Sequence, residues 1–429
     1  MKKAKTTLNP GEGIARVLCV TSASNFYEAM PSEVANAAIP STVVGALASK
    51  HTLEENSNPA FTVNNRGAAE LYQAQMGGYM FFRKDGKVYA AKLNGSTWDK
   101  FADATPVTAA IEAACETMIH VPDCHFLGEN KTLNFGGLVP IDGGHVFGSP
   151  HWVGAYKMSV DGGGAGHSRP NVAPGHSKTM SAFWNCAQQL GTQWGLANYG
   201  FHCLINALFQ ARYGSLNSQE VIGAGFQTGS WEAARNVPMG LCKSLGDGSG
   251  KVFYTDATIG DQYPVKLFGF EDLWGKLWEF RSGIRFEMRD DVRYAIVYDG
   301  NIVSNTAEGR EFVCALSSQS GSGTYAKSME LGEYWDMICQ AVGAGSNTYY
   351  CDGYWFATGG QLLGVGGIAD HSAPCGLSYA ASIVGFSRSS ARIGARLAFK
   401  SSELAKYAGR QFAALWSALV FKPIPEEQK

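Results

Sequence analysis

Hydrophobic and polar residues alternate along this chain with two different periods. From residue 201 to residue 213, large apolar side chains recur every three or four positions, which places them on one face of a helix. Gly214 follows directly, at the position where glycine commonly ends a helix. Residues 79–91 instead carry two strand-like runs on either side of Asp85 and Gly86, a dipeptide typical of a tight turn. The pattern therefore predicts a helix over 201–213 and a β-hairpin over 79–91.

The same patterns predict several further elements. Helices are expected in four other segments, which are Pro31–Leu47, Val107–Cys115, Thr179–Leu190 and Leu404–Leu419. Short aromatic strands are expected at Lys251–Tyr254 and Arg293–Tyr298, and the Gly- and Pro-rich residues 161–177 are expected to form a loop. The mixture predicts an α+β fold, in which residues 1–117 form a mainly β N-terminal module for attachment or oligomerisation.

Composition narrows the classes of function. Of the 429 residues, 45% are hydrophobic and only 17% are charged, and the formal net charge is -2. Because there is no basic excess to neutralise a phosphate backbone, nucleic acid is not expected as a partner. No apolar run reaches the roughly 20 residues of a membrane-spanning helix, so membrane insertion is not expected either.

The N-terminus and the cysteines bear on localisation. The first 13 residues, MKKAKTTLNPGEG, lack the apolar core of a signal peptide, so no signal peptide is expected. The ten cysteines are spread along the chain without a CxxC pair. In a chain made in the cytoplasm they are predicted to be reduced thiols, most of them buried.

Motifs for catalysis, nucleotides and metals are weak. Gly246–Lys251 resembles the end of a phosphate-binding loop, but Val252 stands where such a loop needs Ser or Thr. There is no GxSxG elbow, and no spacing singles out a catalytic triad. The densest set of metal-ligating residues is His120–His125, and strand alternation would divide its ligands between two faces. No catalytic residue, metal site or cofactor is therefore predicted.

Residues Gly269–Phe280, GFEDLWGKLWEF, form a dense aromatic segment with Trp274 and Trp278 four positions apart. The segment is expected to be a tryptophan-rich core turn. It resembles the G-x-x-D-x-x-G-N-V-W-E-W signature of the superfamily that contains formylglycine-generating enzymes and C-type lectin folds, with Lys276 in place of the usual Asn.

The C-terminal part strengthens this resemblance. Gly359–Gly367, Cys375–Ala380 and Ile393–Phe399 follow one another in an order similar to the variable region of proteins that are diversified by retroelements. In that family a C-type lectin fold displays the mutable side chains. Upstream, Val153–Tyr156 and Tyr213–Gln219 resemble tail-fibre proteins of gut bacteriophages. The resemblance covers roughly residues 118–420, and residues 1–117 lie outside it.

The residue types that occur in the C-terminal region test this resemblance. Adenine-directed mutagenesis of AAY codons gives NNY codons, which cannot encode Lys, Glu, Gln, Met or Trp. These five residue types total 76 of the 429 residues, so about seven are expected by composition in any 38 positions. None occurs between Leu362 and Phe399, whereas Gln361 and Lys400 bound the gap.

The resemblance also selects ten candidate variable positions in this region. They are Ile368, Asp370, His371, Pro374, Ala381, Ile383, Val384, Arg388, Ser390 and Arg392. All ten residues are encodable by NNY, and they follow neither the period of a strand nor that of a helix. We expect them to form one exposed ligand-binding patch, because exposed substitutions usually cost little stability.

The resemblance implies a specific kind of protein. It implies a C-type lectin domain over 118–429 with a variable region over 362–399, and no enzymatic activity. The implied function is that of a phage tail-fibre receptor-binding protein, a viral adhesin that recognises a host-surface protein or glycan. Such a protein is expected to be a homotrimer, made in the bacterial cytoplasm and carried on the virion, with the N-terminal module bound to other tail proteins.

Three alternatives were compared with this interpretation. A formylglycine-generating oxidase needs two cysteines five positions apart; Cys375 matches the first position, but Ala380 occupies the second. A calcium-dependent sugar lectin needs EPN or QPD triplets, which the sequence lacks. A cell-surface lectin of a bacterial host remains an alternative that shares the fold but not the location.

Overall fold

The computed structural model describes residues 62–64, 66–300, 302–314, 325–345, 350–357, 359–401 and 404–420. The helix predicted near Pro31–Leu47 and most of the N-terminal segment therefore lie outside the described residues. Within these ranges the chain is a mixed α+β protein, as predicted, with short strands in several sheets and a smaller number of helices.

The strands in the described ranges are β1 (Thr62–Asn64), β2 (Gly77–Lys84), β3 (Lys87–Lys92), β4 (Glu116–His120), β5 (His125–Glu129), β6 (Thr132–Gly137), β7 (His145–Val146), β8 (Trp152–Lys157), β9 (Ser159–Val160), β10 (Gly166–His167), β11 (Trp194–Leu196), β12 (Gly250–Lys251), β13 (Tyr254–Asp256), β14 (Gly260–Gln262), β15 (Val265–Leu267), β16 (Phe270–Glu271), β17 (Trp278–Arg281), β18 (Ile284–Arg289), β19 (Val292–Val297), β20 (Arg310–Cys314), β21 (Tyr325–Glu330), β22 (Ile338–Ala344), β23 (Tyr354–Phe356), β24 (Leu363–Val365), β25 (Ala380–Ser382), β26 (Ile393–Gly394), β27 (Arg396–Phe399) and β28 (Ala405–Tyr407).

The helices are α1 (Arg66–Gln75), α2 (Ala109–Ala114), α3 (Met180–Gln188), α4 (Tyr199–Tyr213), α5 (Ser218–Val221), α6 (Trp231–Ala234) and α7 (Gly409–Val420), with a 3₁₀ turn at Lys243–Leu245. None of the helices in the described ranges has both the length and the apolar character needed to span a membrane.

Two sheets form the framework for the loops of the candidate site. The larger has seven strands in the order β11-β27-β8-β4-β2-β3-β28. The smaller has five, in the order β23-β25-β24-β17-β26. In the smaller sheet β17 pairs antiparallel with β24 and parallel with β26. Both sheets therefore join segments that are far apart in the sequence.

The seven-stranded sheet crosses the predicted domain boundary. Residue 117 lies inside β4, in the middle of that sheet, and β4 pairs with β2 on one side and β8 on the other. The described residues 62–117 thus share a sheet with residues beyond the boundary. They also include helices α1 and α2 beside their strands.

A buried ion cluster connects the two sheets. Glu279 of β17 accepts hydrogen bonds from Lys157 of β8 at 2.8 Å and from Arg396 of β27 at 2.7 and 2.9 Å. Arg281 donates to the other carboxylate oxygen at 2.8 Å, and all four side chains are almost fully buried. Although burial opposes ionisation, the three cations hold the pKa of Glu279 well below its ordinary value.

The strongest predictions from periodicity are confirmed. The predicted helix at 201–213 is α4, which starts after an Asn198 cap and ends at Gly214 with a φ of 59°. The helix predicted at Thr179–Leu190 is α3, capped by the Thr179 hydroxyl, which accepts the backbone N–H of Ala182. Strands β2 and β3 form the predicted hairpin around the Asp85–Gly86 turn.

Other expectations are confirmed only in part. The C-terminal helix begins at Gly409 rather than at Leu404, because residues 405–407 first form β28 against β3. The helix predicted at Val107–Cys115 is the shorter α2. All nine cysteines in the described ranges are buried, in agreement with the prediction that most of them are buried.

We predict that Glu279→Gln lowers the free energy of unfolding by about 3–5 kcal/mol, because it leaves buried cations without their counter-charge. Urea denaturation followed by tryptophan fluorescence measures this. Glu311→Gln is the matched control, since Glu311 pairs with Arg289 at an exposed site and its loss should change stability little. Equal effects of the two substitutions would contradict the structural role of the cluster.

We further predict that His202 contributes to acid sensitivity. Burial lowers its pKa from 6.5 to about 3. As the pH falls below 6.5, the His202 imidazole is protonated in the unfolded chain but stays neutral in the folded state. Stability is therefore lost between pH 6.5 and 3. At pH 5 the loss is about 2 kcal/mol.

The variant His202→Gln should remove this contribution. The difference between its unfolding free energies at pH 7 and pH 5 should be smaller than that of the wild type. His176, which is half-buried near the surface, provides the control variant His176→Gln, and we expect it to change the pH dependence much less. An unaltered pH dependence in His202→Gln would contradict the prediction.

Candidate ligand-binding surface

Two loops leave the five-stranded sheet side by side. The first loop, residues 366–379, connects β24 to β25, and the second loop, residues 383–392, connects β25 to β26. Their meeting point is Trp278 of β17. Its backbone N–H donates to the carbonyl of Arg392 at 3.1 Å, and its ring lies edge-on to the ring of His371 at 5.6 Å.

The first loop starts at two glycines that no larger residue could replace without a shift of the backbone. Gly366 and Gly367 have φ values of 87° and 76°, in the left-handed region. A Cβ at Gly366 would lie 2.3 Å from the carbonyl oxygen of Leu273. One at Gly367 would lie 2.5 Å from the Cys375 sulfur. The loop therefore packs tightly against the sheet where it begins.

Side chains from residues 218–229 hold the same loop from outside. Gln219 donates to the carbonyl of Ala373 at 2.9 Å, and Gln227 donates to that of Ser372 at 3.2 Å. The hydroxyl of Ser218 accepts the backbone N–H of Leu377 at 2.9 Å. These bonds fix the path of the backbone, so the outer side chains of the loop are not needed to hold it in place.

The second loop is fixed at both ends by its backbone. The carbonyl of Val384 accepts the N–H groups of Gln361 and Leu362 at 3.0 and 3.1 Å. Near the other end, the carbonyl of Ser390 accepts the N–H of Ser177 at 3.0 Å. Ser387, Arg388 and Ser389 between these anchors are exposed.

The structure divides the ten sequence-predicted positions into two groups. Six are exposed or half-buried residues of the two loops, and they are Asp370, His371, Ile383, Arg388, Ser390 and Arg392. Among them, His371 exposes its backbone more than its ring, because its side chain is only 7% exposed. The other four are buried, and they are Ile368, Pro374, Ala381 and Val384.

The four buried positions correct the expectation of a single exposed patch of ten side chains. Ile368 is fully buried and Val384 nearly so, in the apolar cluster that also contains Trp278. Ala381 lies in β25, where alternation directs it to the core, and Pro374 packs near Gly353. These side chains support the loops from below and do not reach solvent.

A tryptophan that the sequence interpretation missed lies beside the six accessible positions. Trp231 opens the short helix α6, and the guanidinium carbon of Arg392 lies 5.0 Å from the centre of its ring. Arg235, one turn further along the chain, lies at the same distance from that ring. In the sequence, only the W-x-x-x-R spacing, which brings two side chains together on one helical turn, indicated that Arg235 lies near Trp231.

Aromatic rings pack around His371 beneath the two loops. His371 contacts Trp278 and Tyr379, each with ring centres 5.6 Å apart, and Trp355 is 6.5 Å away. Burial lowers the pKa of His371, although the nearby Asp370 carboxylate opposes this shift. The ring packs the first loop against Trp278 of β17.

We name this region the Arg–Trp surface, defined by Trp231, Arg235, His371, Ile383, Arg388 and Arg392. Among the described residues, none of its three arginines forms a salt bridge with a carboxylate. Two acidic residues adjoin members of this surface in sequence, namely Glu232 beside Trp231 and Asp370 beside His371. The surface therefore presents cations whose charge is not matched within the described part of the protein.

The aromatic segment at 269–280 is part of the core, in agreement with the predicted tryptophan-rich core turn. Trp274 and Trp278 are buried, and the indole of Trp274 donates to the carbonyl of Gly223 at 3.0 Å. Lys276, the departure from the family signature, is buried and donates to the carbonyl of Pro238 at 3.2 Å. Its ammonium lies 3.6 Å from Asp272. The segment is a structural turn that supports β17.

Cys375 has the environment of a packing residue. It is fully buried, its sulfur donates to the carbonyl of Ile368 at 3.1 Å, and burial raises the pKa of the thiol. A thiol that stays protonated is a poor nucleophile and a poor metal ligand.

The residues of the segment 120–125 are separated by the chain path. His120 ends β4, where its ring lies 4.7 Å from Trp152, and burial lowers its pKa to about 4. Cys124 is buried, whereas Asp123 is exposed. Over the described ranges, no three acidic, His or Cys side chains come close enough together to hold a metal ion.

A separate cavity of about 500 Å³ opens elsewhere, beside Phe147, Tyr298 and Tyr334. Its wall carries Arg310, which donates to both carboxylate oxygens of Asp336 at 2.8 and 2.7 Å. None of the ten predicted positions lines it. It is a competing place for a ligand, and it provides a control for the experiments below.

Comparison with known proteins gives limited similarity. No family model matches the chain, and no curated protein matches it. Among solved structures, a Major Tropism Determinant U1 Variant is similar with a TM-score of 0.28 and 13% identity, and a Major Tropism Determinant M1 Variant with 0.27 and 13%. Each comparison covers 80% of this chain and 73% of the other. A similarity of this size establishes neither a common function nor a common ligand.

The division of the ten positions predicts opposite results for near neighbours in the first loop. Ile368→Ala should lower the free energy of unfolding by about 2–5 kcal/mol, because it opens a cavity in the core. Asp370→Ala, two positions away and exposed, should leave stability almost unchanged. Thermal and urea denaturation of both variants check this. If Asp370→Ala were the more damaging change, the assignment of inward and outward positions would be wrong.

Proposed function

We propose that this chain is a receptor-binding protein of the phage tail-fibre type, whose two adjacent loops recognise a ligand on the host surface. The observation that carries the proposal is a coincidence of two independent features. The segment without Lys, Glu, Gln, Met or Trp runs from Leu362 to Phe399, and both loops lie inside it. Diversification by NNY codons would therefore act on one continuous region of surface.

The architecture supports this proposal physically. The loops are anchored through backbone hydrogen bonds and through a core that the buried ion cluster joins, so six outer side chains can change without loss of the fold. We propose that the domain from residue 118 onward has the C-type lectin fold and that 362–399 is its variable region. Residues 1–117 would then attach the protein to other tail proteins, in addition to the strands they contribute to the seven-stranded sheet.

A binding role without catalysis fits the chemistry of the region better than an oxidase role. A formylglycine-generating site requires two cysteines at the spacing where this chain has Cys375 and Ala380. Cys375 is enclosed by the loop that it supports, and its thiol is held in the protonated form by burial. The surface above it carries guanidinium and indole groups, which are common in recognition sites.

A trimeric assembly, if formed as in tail fibres that this chain resembles, would present three copies of the surface at once. Binding of one copy raises the effective concentration of the others at the same cell. Weak individual contacts would then suffice for adhesion. Localisation on the virion follows from the same proposal.

Flow cytometry with the labelled full-length protein and a panel of bacterial strains tests the proposal. We expect binding to a subset of strains. Replacing the six accessible positions together with other NNY-encodable residues should change that subset, while the melting temperature stays constant. The positions to be replaced are Asp370, His371, Ile383, Arg388, Ser390 and Arg392.

A control variant places changes beside the cavity instead. Val146→Ser with Tyr334→Ser alters two exposed side chains that line it. If this variant lost binding while the six-position variant kept the original strains, the receptor site would lie in the cavity and the proposal would fail. Sequencing of the neighbouring DNA gives a second test, because the proposal requires a near-copy of the 362–399 coding stretch that differs at adenines.

A further inference from the structure

We propose that the Arg–Trp surface binds an acidic segment of a protein, with carboxylates held by Arg235 and Arg392 beside Trp231. This inference rests on the proposed function, and it adds the chemical class of the ligand. It follows from the placement of these two arginines, of which one belongs to the predicted variable positions and the other does not.

The first argument is geometric. The guanidinium carbons of Arg235 and Arg392 each lie 5.0 Å from the centre of the same indole ring. Stacking on an indole orients a guanidinium plane and leaves its N–H edge directed away from the ring. That edge is suited to a bidentate contact with a carboxylate. Trp231 thus positions two donors from separate parts of the chain around one site.

The second argument is the missing counter-charge. Several other arginines have carboxylate partners at hydrogen-bond distance, and these are Arg169, Arg212, Arg281, Arg285, Arg289, Arg310 and Arg396. Arg235 and Arg392 have no such partner among the described residues. In addition, the Nε of Arg235 is buried without any hydrogen-bond acceptor. Such an arrangement gains more from an incoming anion than a paired arginine does, because no existing ion pair has to be broken.

The third argument is the local excess of positive charge. The chain as a whole has a formal net charge of -2. Around Trp231, however, lie the guanidinium groups of Arg235 and Arg392. Arg388 belongs to the loop that carries Arg392, and Lys178 lies opposite Ser390 of that loop in an isolated β-bridge. The acidic residues adjacent in sequence to Trp231 and His371 are Glu232 and Asp370. The surface is therefore complementary to an acidic partner.

Apolar groups around the arginines favour a protein ligand over a charged polysaccharide. Trp231, Trp355, Ile383 and Phe386 are all half-buried and pack on one apolar core cluster. Arginine and tryptophan surrounded by apolar side chains are typical of the residues that dominate protein–protein interfaces. The ring of Trp231 already contacts two arginines, and the ring of His371 contacts Trp278 and Tyr379, which leaves little free ring area on which a sugar could stack.

Binding of two polyanions with matched charge density tests this inference. Poly-L-glutamate represents an acidic polypeptide, and polygalacturonate represents an acidic polysaccharide. We expect the full-length protein to bind immobilised poly-L-glutamate more tightly, and R235Q/R392Q to bind it at least tenfold more weakly. The control K84Q/K87Q removes the same charge from an exposed hairpin and should stay within twofold of the wild type. R235K/R392K keeps the charge but loses the planar contact, so it should recover only part of the affinity.

Three results would overturn the inference. They are tighter binding to polygalacturonate with the same arginine dependence, equal losses in R235Q/R392Q and K84Q/K87Q, and full affinity in R235Q/R392Q. Thermal melts establish that each variant is folded before its affinity is compared. The assay on bacterial cells separates this outcome from a failure of the proposed function. If the six-position variant changes the strains bound but R235Q/R392Q does not, the adhesion role stands and the acidic-protein ligand is wrong.

Discussion

The fold depends on one buried carboxylate. Glu279 lies in the five-stranded sheet, and two of its three cationic partners, Lys157 and Arg396, lie in the seven-stranded sheet. Removing an ion from water is costly, so each of these groups is tolerated only while the others are in place. Arg396 also donates to the carbonyls of Gly154 in β8 and Glu271 in β16, which ties it to the backbone of the seven-stranded sheet and of a separate three-stranded sheet. The cluster therefore fixes the relative placement of the two sheets more narrowly than apolar packing alone would.

This constraint would let the two loops vary without loss of stability, as the proposed function requires. Trp278 precedes Glu279 in β17, and it is the residue on which the two loops converge. The position of the loops is thus set one residue away from the ion cluster. Their outer side chains contribute little to this arrangement, because hydrogen bonds from Gln219, Gln227 and backbone groups determine the loop paths. The buried residues provide the stability, and the outer side chains of the loops are the ones whose chemistry can differ.

Sequence reasoning found the elements whose signal is local. The periodicity of 201–213 and the Asp-Gly turn at 85–86 each depend on neighbouring residues, so both predictions are confirmed. The boundary at residue 117 depended on the extent of a family resemblance, and the structure places that residue inside β4. No local pattern could show that β27, near the C-terminus, pairs with β8. Long-range strand order is set by packing and charge burial, which a linear pattern does not contain.

The location of the candidate site stays a prediction, and the structure corrects only which of the ten side chains reach the surface. The ten positions were chosen by their encodability and by resemblance, and neither criterion reports the direction of a side chain. Ile368 and Val384 consequently turn out to be core residues. Trp231 and Arg235 were missed for the opposite reason, because they lie more than 130 positions before the second loop in the sequence and meet it only through the fold.

The mixture of inward and outward positions also limits the diversity that this surface can explore. NNY codons encode Ile, Val, Ala and Pro as well as charged and polar residues, so an inward codon still yields some side chains that fit a core. Most other outcomes at Ile368 or Val384 would place a polar group in an apolar cluster, at a cost that the protein would not tolerate repeatedly. Under the proposed function, effective variation would therefore be confined to the six outer positions. Because Arg235 lies outside the variable segment, one cation beside Trp231 would stay constant while its neighbours change, and ligands of this surface would keep a bias toward negative charge.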